Sequence, residues 1–369
     1  MNERVLKRII YVWGAISLIV FLAVRHEPLF NGLLKEKVVP DYWDRTKYGE
    51  LYYFSMIKHF REEGLPPANR KFELSEKHAS PGEADILTFG DSFFEFSRLK
   101  QFPEKIADDF GKAVHFVNDD EPLEYLGKQN YSDQSPKLVI YERTERFIPV
   151  SFESEHKFGT GKMEATPSRF RTLARIRDWL FYNRSEELYS VMLKRSYLTT
   201  GLYSSIATLK FDLFGNISGL TPTYLSDGAN SWLFYHDQIK KKKTSFYYQH
   251  TPAEMARVCD HMADLARKMR ERYNLHMVYL PIPAKYTLYH ELLNDDPYNE
   301  FLPRLYAGLE ERGVPFVNIY DDFKDSRDTL FYRTDSHWNQ KGLDMAYSKT
   351  VAYIQSHPRL SNFLQPNQR

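Results

Sequence analysis

Asp85-Ile86-Leu87-Thr88-Phe89-Gly90-Asp91-Ser92-Phe93 is the stretch whose reading decides the fold. Its first five residues form a short apolar run without polar alternation, ended by Gly90, and such a run reads as a buried strand. Gly90 permits a tight turn, after which Ser92 to about Phe110 predicts a helix. The same rhythm continues outward. Ala113 to Val117 reads as a second strand, and Lys137 to Tyr141, announced by Pro136, as a third. Thr251-Pro252-Ala253-Glu254 is a capping box with proline at the first helical position. Met255, Val258, Cys259, Met262, Leu265, Ala266 and Met269 then follow at helical spacing, an apolar stripe that takes Cys259 into the core. His276 to Leu280 reads as a fourth strand and Glu300 to Arg312 as a helix stopped by Gly313. Pro315 to Tyr320 reads as a fifth strand, and about Asn339 to Gln355 as a last helix. The expected fold is α/β, a five-stranded parallel sheet sandwiched by helices. Ligands of such sheets sit at the carboxyl ends of the strands.

Composition narrows the function classes. Lys plus Arg is 50 against 49 for Asp plus Glu, so no global basic field steers the 369-residue chain to nucleic acid. The single cysteine excludes an intrachain disulfide and a cysteine-rich zinc site. Aromatic residues make up 15% of the chain, which suits either a well-filled core or stacking on sugar faces. Arg4, Lys7 and Arg8 precede an apolar run from Ile9 to Val24 that closes at Arg25. As a helix this run spans about 24 Å, a little short of a bilayer core. Without a small-x-small cleavage site after it, it reads as an uncleaved signal anchor. The expected layout is therefore a transmembrane helix over 1–25, a juxtamembrane segment over 26–80 and a catalytic domain over 81–369. The expected location is the inner membrane, single-pass, with the body on the periplasmic side, although Arg25, Lys35 and Lys37 weaken the orientation. The section from about 150 to 250 breaks the strand–helix rhythm and reads as an inserted cap, with helical pieces near 168–195. Its basic run from Lys240 to Lys243 is either a solvated loop or a site for a polyanion.

Two carboxyl-end segments carry the chemistry. Ser92 stands where its hydroxyl can face a site and where backbone N–H groups can stabilise an oxyanion, although a serine here is also a common helix cap. In Thr334-Asp335-Ser336-His337-Trp338, an aspartate two residues before a histidine can hold the imidazole in one tautomer and leave the other nitrogen free as a base. No second His or Cys cluster lies nearby to complete a metal site.

The sequence resembles a known family at these places. GDSFF at 90–94 is similar to the first block of SGNH hydrolases. TDSHWNQKG at 334–342 is similar to the Asp-x-His-Trp block of the alginate O-acetyltransferase-like branch. VIYERTERF at 139–147 and LPIPAKYTLY at 280–289 resemble that branch's strand ending in Glu and Arg and its Pro-x-x-Lys-Tyr stretch. The resemblance covers roughly 84–356, apart from 150–250, and implies an SGNH/flavodoxin-like fold. It further implies Ser92 as nucleophile, His337 as general base and then acid, Asp335 as orienting carboxylate, and the Ser92 N–H as one oxyanion donor. Arg146, Lys285, Tyr286 and Trp338 become candidate substrate contacts; Arg146 could instead pair with Glu142 or Glu145, and Lys285 and Tyr286 could be structural anchors. The implied activity is acetyl transfer through acyl-serine onto a polysaccharide, without metal or cofactor, the donor being supplied by a membrane-bound O-acyltransferase. A carbohydrate or peptidoglycan esterase and a non-catalytic polysaccharide-binding subunit are the alternatives. Two departures stand out: the alginate enzymes carry Asp-x-His ahead of the serine block, whereas here Ser92 comes first, and no clear Gly-x-Asn-Asp block is present.

Overall fold

The structure is a computed structural model that describes residues 5, 8, 11–18, 47–66, 79–96, 98–118, 121–133, 135–156, 197–215, 217, 219–223, 231–240 and 242–365. Two compact units are distinguished, and the larger, Thr46–Ser55, His59–Met163 and Asn216–Arg369, contains the sheet and the candidate site. Strands β1 (Ile86–Gly90), β2 (Val114–Asn118), β3 (Lys137–Thr144) and β6 (Leu275–Ile282) form one parallel sheet in the order β2–β1–β3–β6. A hairpin of β4 (Leu220–Thr223) and β5 (Trp232–Tyr235) stands apart from it.

Side chains alternate across a strand, and here both faces are apolar, which is why these strands show no polar alternation in sequence. Leu87, Phe89, Val139, Tyr141, Met277 and Tyr279 enter one core, and Ile86, Leu138, Ile140, Val278, Leu280 and Ile282 the other. Among the helices of the described residues are α1 (Glu50–Ser55), α2 (Phe102–Phe110), α3 (Pro122–Lys128), α4 (Tyr197–Phe214), α5 (Pro252–Tyr273), α6 (Lys285–Tyr289), α7 (Phe301–Glu311) and α8 (Gln340–Ser356). The first core is closed by α3, α5 and α7, the second by α2 and α8. The apolar stripe of α5 packs as its spacing predicts: Met255, Val258, Cys259, Met262, Leu265 and Met269 are all buried. Each such side chain contributes about 1.5–3 kcal/mol of burial. Thr251 and Glu254 make the reciprocal cap, with the Glu254 N–H donating to Thr251 Oγ1 at 3.2 Å and the Thr251 N–H to Glu254 Oε2 at 2.9 Å.

The structure corrects three expectations. Among the described residues the sheet has four strands rather than five. The segment from Pro315 touches its edge at a single bridge, in which the Tyr279 N–H donates to Pro315 O at 3.0 Å and the Val317 N–H to Tyr279 O at 2.8 Å. Asn318 ends the pairing, because its side chain accepts the Tyr320 N–H at 3.0 Å and starts a short helix over Tyr320–Lys324. The helix expected from Ser92 is a turn. The Asp91 carboxylate takes the Phe93 N–H at 3.0 Å, a local side-chain bond that competes with helix formation. The helix starts ten residues later, at Phe102, where Pro103 and Glu104 fit its first turn.

The expected cap over 150–250 falls only partly on the described residues. Residues 157–196, with the helical pieces near 168–195, lie outside the described residues. Within the same stretch the hairpin packs at the site, the Leu233 N–H donating to Arg333 O at 3.1 Å. In the basic run, Lys242 pairs with Asp237 at 3.0 Å and Lys243 pairs with Glu153, as solvated surface charges do. Finally, among the described residues no helix is long and apolar enough to cross a membrane. Residues 5, 8 and 11–18 are helical, and the rest of the expected span lies outside the described residues. The expected single-pass membrane anchor is thereby left without support among the described residues.

Candidate active site

The turn after β1 is held from below. Asp91 accepts the Phe93 N–H through Oδ1 and the Thr144 hydroxyl through Oδ2, the latter at 2.8 Å, and its own N–H donates to Glu142 Oε2 at 2.8 Å. With both flanking N–H groups engaged, the Ser92 N–H has no acceptor among the described residues, and its side chain is exposed. A Cβ on Gly90 would stand 2.6 Å from Glu142 Oε2, so the close approach of this carboxyl to the turn requires glycine.

Glu142 is fully buried, and burial, followed by the neighbouring Asp91 charge, pushes it well above the usual carboxylate range. A carboxyl whose folded pKa is raised binds its proton more tightly folded than unfolded, so its ionisation weakens the fold as pH rises above the unfolded value. Glu142→Gln is therefore expected to melt a few degrees above the wild type at pH 8, with the gap closing toward pH 4. Thermal melts across that range check it, and a gap that is constant with pH would contradict it.

The histidine segment is a tight reversal. Phe331 and Trp338 form an antiparallel bridge, and the Tyr332 N–H donates to His337 O at 3.2 Å. Asn339 then caps α8 by accepting the Lys341 and Gly342 N–H groups at 2.9 and 3.2 Å. Gly342 allows this packing, because a Cβ there would meet Leu330 O at 2.3 Å. Asp335 Oδ1 lies 2.6 Å from His337 Nδ1 and accepts the His337 N–H at 3.1 Å. His337 Nε2 lies 2.8 Å from Ser92 Oγ, across 245 positions of sequence. With Asp335 ionised, Nδ1–H donates to it and Nε2 is left to accept the serine hydroxyl. Phe96 stacks on the imidazole at 4.3 Å and 15°, and Phe93 lies against it at 5.0 Å. Burial opposes the charge on His337, but the Asp335 carboxylate and its hydrogen bond, with Glu50 and Asp91, hold its pKa above the ordinary imidazole value. Burial likewise works against the Asp335 charge and is outweighed by His337, which leaves Asp335 below its usual range. Such an arrangement can move a proton from the serine to the histidine and stabilise the imidazolium that results.

The other expected contacts fall elsewhere. Lys285 and Tyr286 are interior, as anchors. Lys285 Nζ donates to the carbonyls of Leu233 at 2.9 Å, Arg333 at 2.5 Å and Asp335 at 3.1 Å, tying the histidine segment to β5. Tyr286 packs edge-on to Phe234 and Phe246. Trp338, expected at substrate, is fully buried in the second core with its ring at right angles to Phe93, because the bridge to Phe331 turns it inward. Arg146 is partly exposed, its guanidinium 5.0 Å from the Tyr235 ring centroid. It forms no ion pair with Glu145, which is buried and accepts from Tyr298 at 2.6 Å, Thr287 at 2.7 Å and the Ala284 N–H at 2.8 Å.

Glu50 and Arg98 have no motif to announce them, yet both reach Asp335. The Glu50 N–H donates to Asp335 Oδ2 at 2.9 Å, and Arg98 Nε stands 4.0 Å from the same oxygen. Glu50, Asp335 and His337 bring potential metal-ligand atoms within 4.8 Å of one another. Those atoms are already committed: His337 Nδ1 to Asp335, and Glu50 to the Ser336 and Tyr235 hydroxyls.

An exposed serine, a buried imidazole and a buried carboxylate thus meet beside the turn after β1. Residues 225–368 match the family model described as SGNH hydrolase-like domain, acetyltransferase AlgX. The matched segment contains Lys285, Asp335, His337 and Trp338, while Ser92 lies upstream of it. No curated protein and no solved structure matches the chain.

Proposed function

We propose that the chain is an O-acetyltransferase that carries an acetyl group as an ester on Ser92 and delivers it to a hydroxyl of a polysaccharide. The observation that carries this reading is the continuous line Asp335–His337–Ser92, with contacts of 2.6 and 2.8 Å, two of whose three residues lie in the AlgX-like segment. In the first half-reaction Ser92 Oγ bonds to the acetyl carbon while its proton passes to His337 Nε2. The donor's leaving oxygen departs with that proton, and the Ser92 N–H faces the developing oxyanion. In the second, a sugar hydroxyl loses its proton to Nε2 and bonds to the same carbon, and the proton returns to Ser92 as the ester breaks. The donor, proposed to be handed over by a membrane-bound O-acyltransferase, enters this scheme as an activated acetyl ester.

Full-length protein incubated with an activated acetyl ester and a panel of neutral and acidic oligosaccharides is expected to yield acetylated sugar. Release of free acetate at a rate indifferent to every sugar would establish hydrolysis instead. The pH dependence follows from the base. His337 must be neutral to accept a proton, and its neighbours hold its pKa up, so activity falls as pH drops through a value above the free-imidazole figure of about 6.5. A rate that stays flat from pH 5 to 8 would contradict that role.

A further inference from the structure

We propose that Glu50 is a second carboxylate of His337, a positioning residue that grips the Asp335–His337 segment with its backbone and faces the imidazolium with its charge. This rests on the reading of His337 as the base. Both ends of Glu50 are engaged. Its N–H donates to Asp335 Oδ2 at 2.9 Å, which leaves Oδ1 for the histidine. Its carboxylate accepts the Tyr235 hydroxyl on Oε1 at 2.7 Å and the Ser336 hydroxyl on Oε2 at 2.8 Å. These donors come from β5 and from the residue between Asp335 and His337, so they fix the carboxylate from two sides. Oε2 is thereby held 3.4 Å from His337 Nδ1, beyond a good hydrogen bond but within range of a strong charge interaction.

A helix-terminal glutamate with a purely structural role would need neither hydroxyl, since the first turn of α1 already favours an acidic residue. What distinguishes Glu50 is its place at Nδ1, where the positive charge appears when Nε2 takes the serine proton. Three anions then face the ring: Asp335 from its own segment, Glu50 from α1 and Asp91 from the turn after β1. Arg98, at 4.0 Å from Asp335 Oδ2, and the Lys285 ammonium, at 3.1 Å from Asp335 O, are the opposing cations. The Glu50 carboxylate keeps part of its surface in water, so its influence is smaller than that of the buried Asp335.

The test uses the full chain with Glu50→Gln, Asp335→Asn and the double variant, Glu50→Asp serving as the charge-preserving control. The His337 titration is followed by NMR, and turnover is measured with a small activated acetyl ester. Glu50→Gln is expected to lower the His337 pKa, and the acid limb of kcat with it, by about half a unit to one unit, with KM unchanged. Glu50→Asp is expected to restore most of that shift. Asp335→Asn alone is expected to keep about ten times more activity than the double variant, because Glu50 can then take over the Nδ1 side. An unmoved His337 titration in Glu50→Gln, or losses from Asp335→Asn that are the same with or without the Glu50 charge, would overturn the proposal. The NMR titration requires no turnover. Failure of the acyl-serine reading would leave it intact and show instead as undiminished turnover in Ser92→Ala.

Discussion

Ser92→Ala is expected to lower kcat for acetyl transfer by about 10⁴-fold or more while leaving the fold unchanged. The oxygen it removes is the one that bonds to the acetyl carbon, so only binding and oxyanion stabilisation survive; where a serine, a base and its orienting acid act as a unit, loss of any member leaves a small residue of activity. His337→Ala should cost about as much, and the double variant no more than either alone, because both changes abolish the same step. Stability should move by less than about 1 kcal/mol in Ser92→Ala, since the serine is exposed and its hydroxyl bonds only His337 among the described residues. Single-turnover kinetics alongside thermal melts check both parts. A loss of only a few-fold would move the nucleophile elsewhere.

Lys285→Met is expected to damage both stability and rate. The Lys285 ammonium is buried and donates to three carbonyls, two of them on the segment that presents His337. Burial pulls its pKa down to about 7, while Glu62, Asp335 and Glu50 favour the charged form. Methionine fills a similar volume but leaves those carbonyls without their donor, a loss of about 3 kcal/mol for charged hydrogen bonds of this kind. The Asp335–His337 reversal then has less to fix it against β5, and kcat should fall by about 10- to 100-fold with little change in KM. Equilibrium unfolding and steady-state kinetics on the same preparation test this. Wild-type stability would show that water or another donor replaces the ammonium, and that the anchor is not needed.

Much of the central fold was legible because it is written locally. Leu138, Val139 and Ile140 can all be apolar only in a strand buried on both faces, and the Thr251–Glu254 box fixes the start of α5 by itself. The Asp335–His337 pair is equally local, two residues apart. Errors arose where a longer-range or competing bond decided the outcome. The edge segment at 315–317 reads as a strand, but it meets only Tyr279 before Asn318 turns it away. The residues after Ser92 are compatible with a helix, but the Asp91 carboxylate takes the N–H that would begin it. The hydropathy of the N-terminal run suggests a membrane span, and no described helix has the length and apolarity for one. Trp338 sits in a motif that draws attention to chemistry, yet its ring is core. Glu50 was beyond reach for the opposite reason: it meets Asp335 across 285 positions, from a stretch with no periodicity or motif.

Full-length protein mixed with an activated acetyl ester in the absence of sugar, quenched in acid and mapped by peptide mass spectrometry, tests the centre of this account most directly. One acetyl group is predicted on the peptide containing Ser92, absent in Ser92→Ala and cleared when an acceptor sugar is added before the quench. An acetyl group on any other side chain, or turnover with none trapped on Ser92, would contradict it.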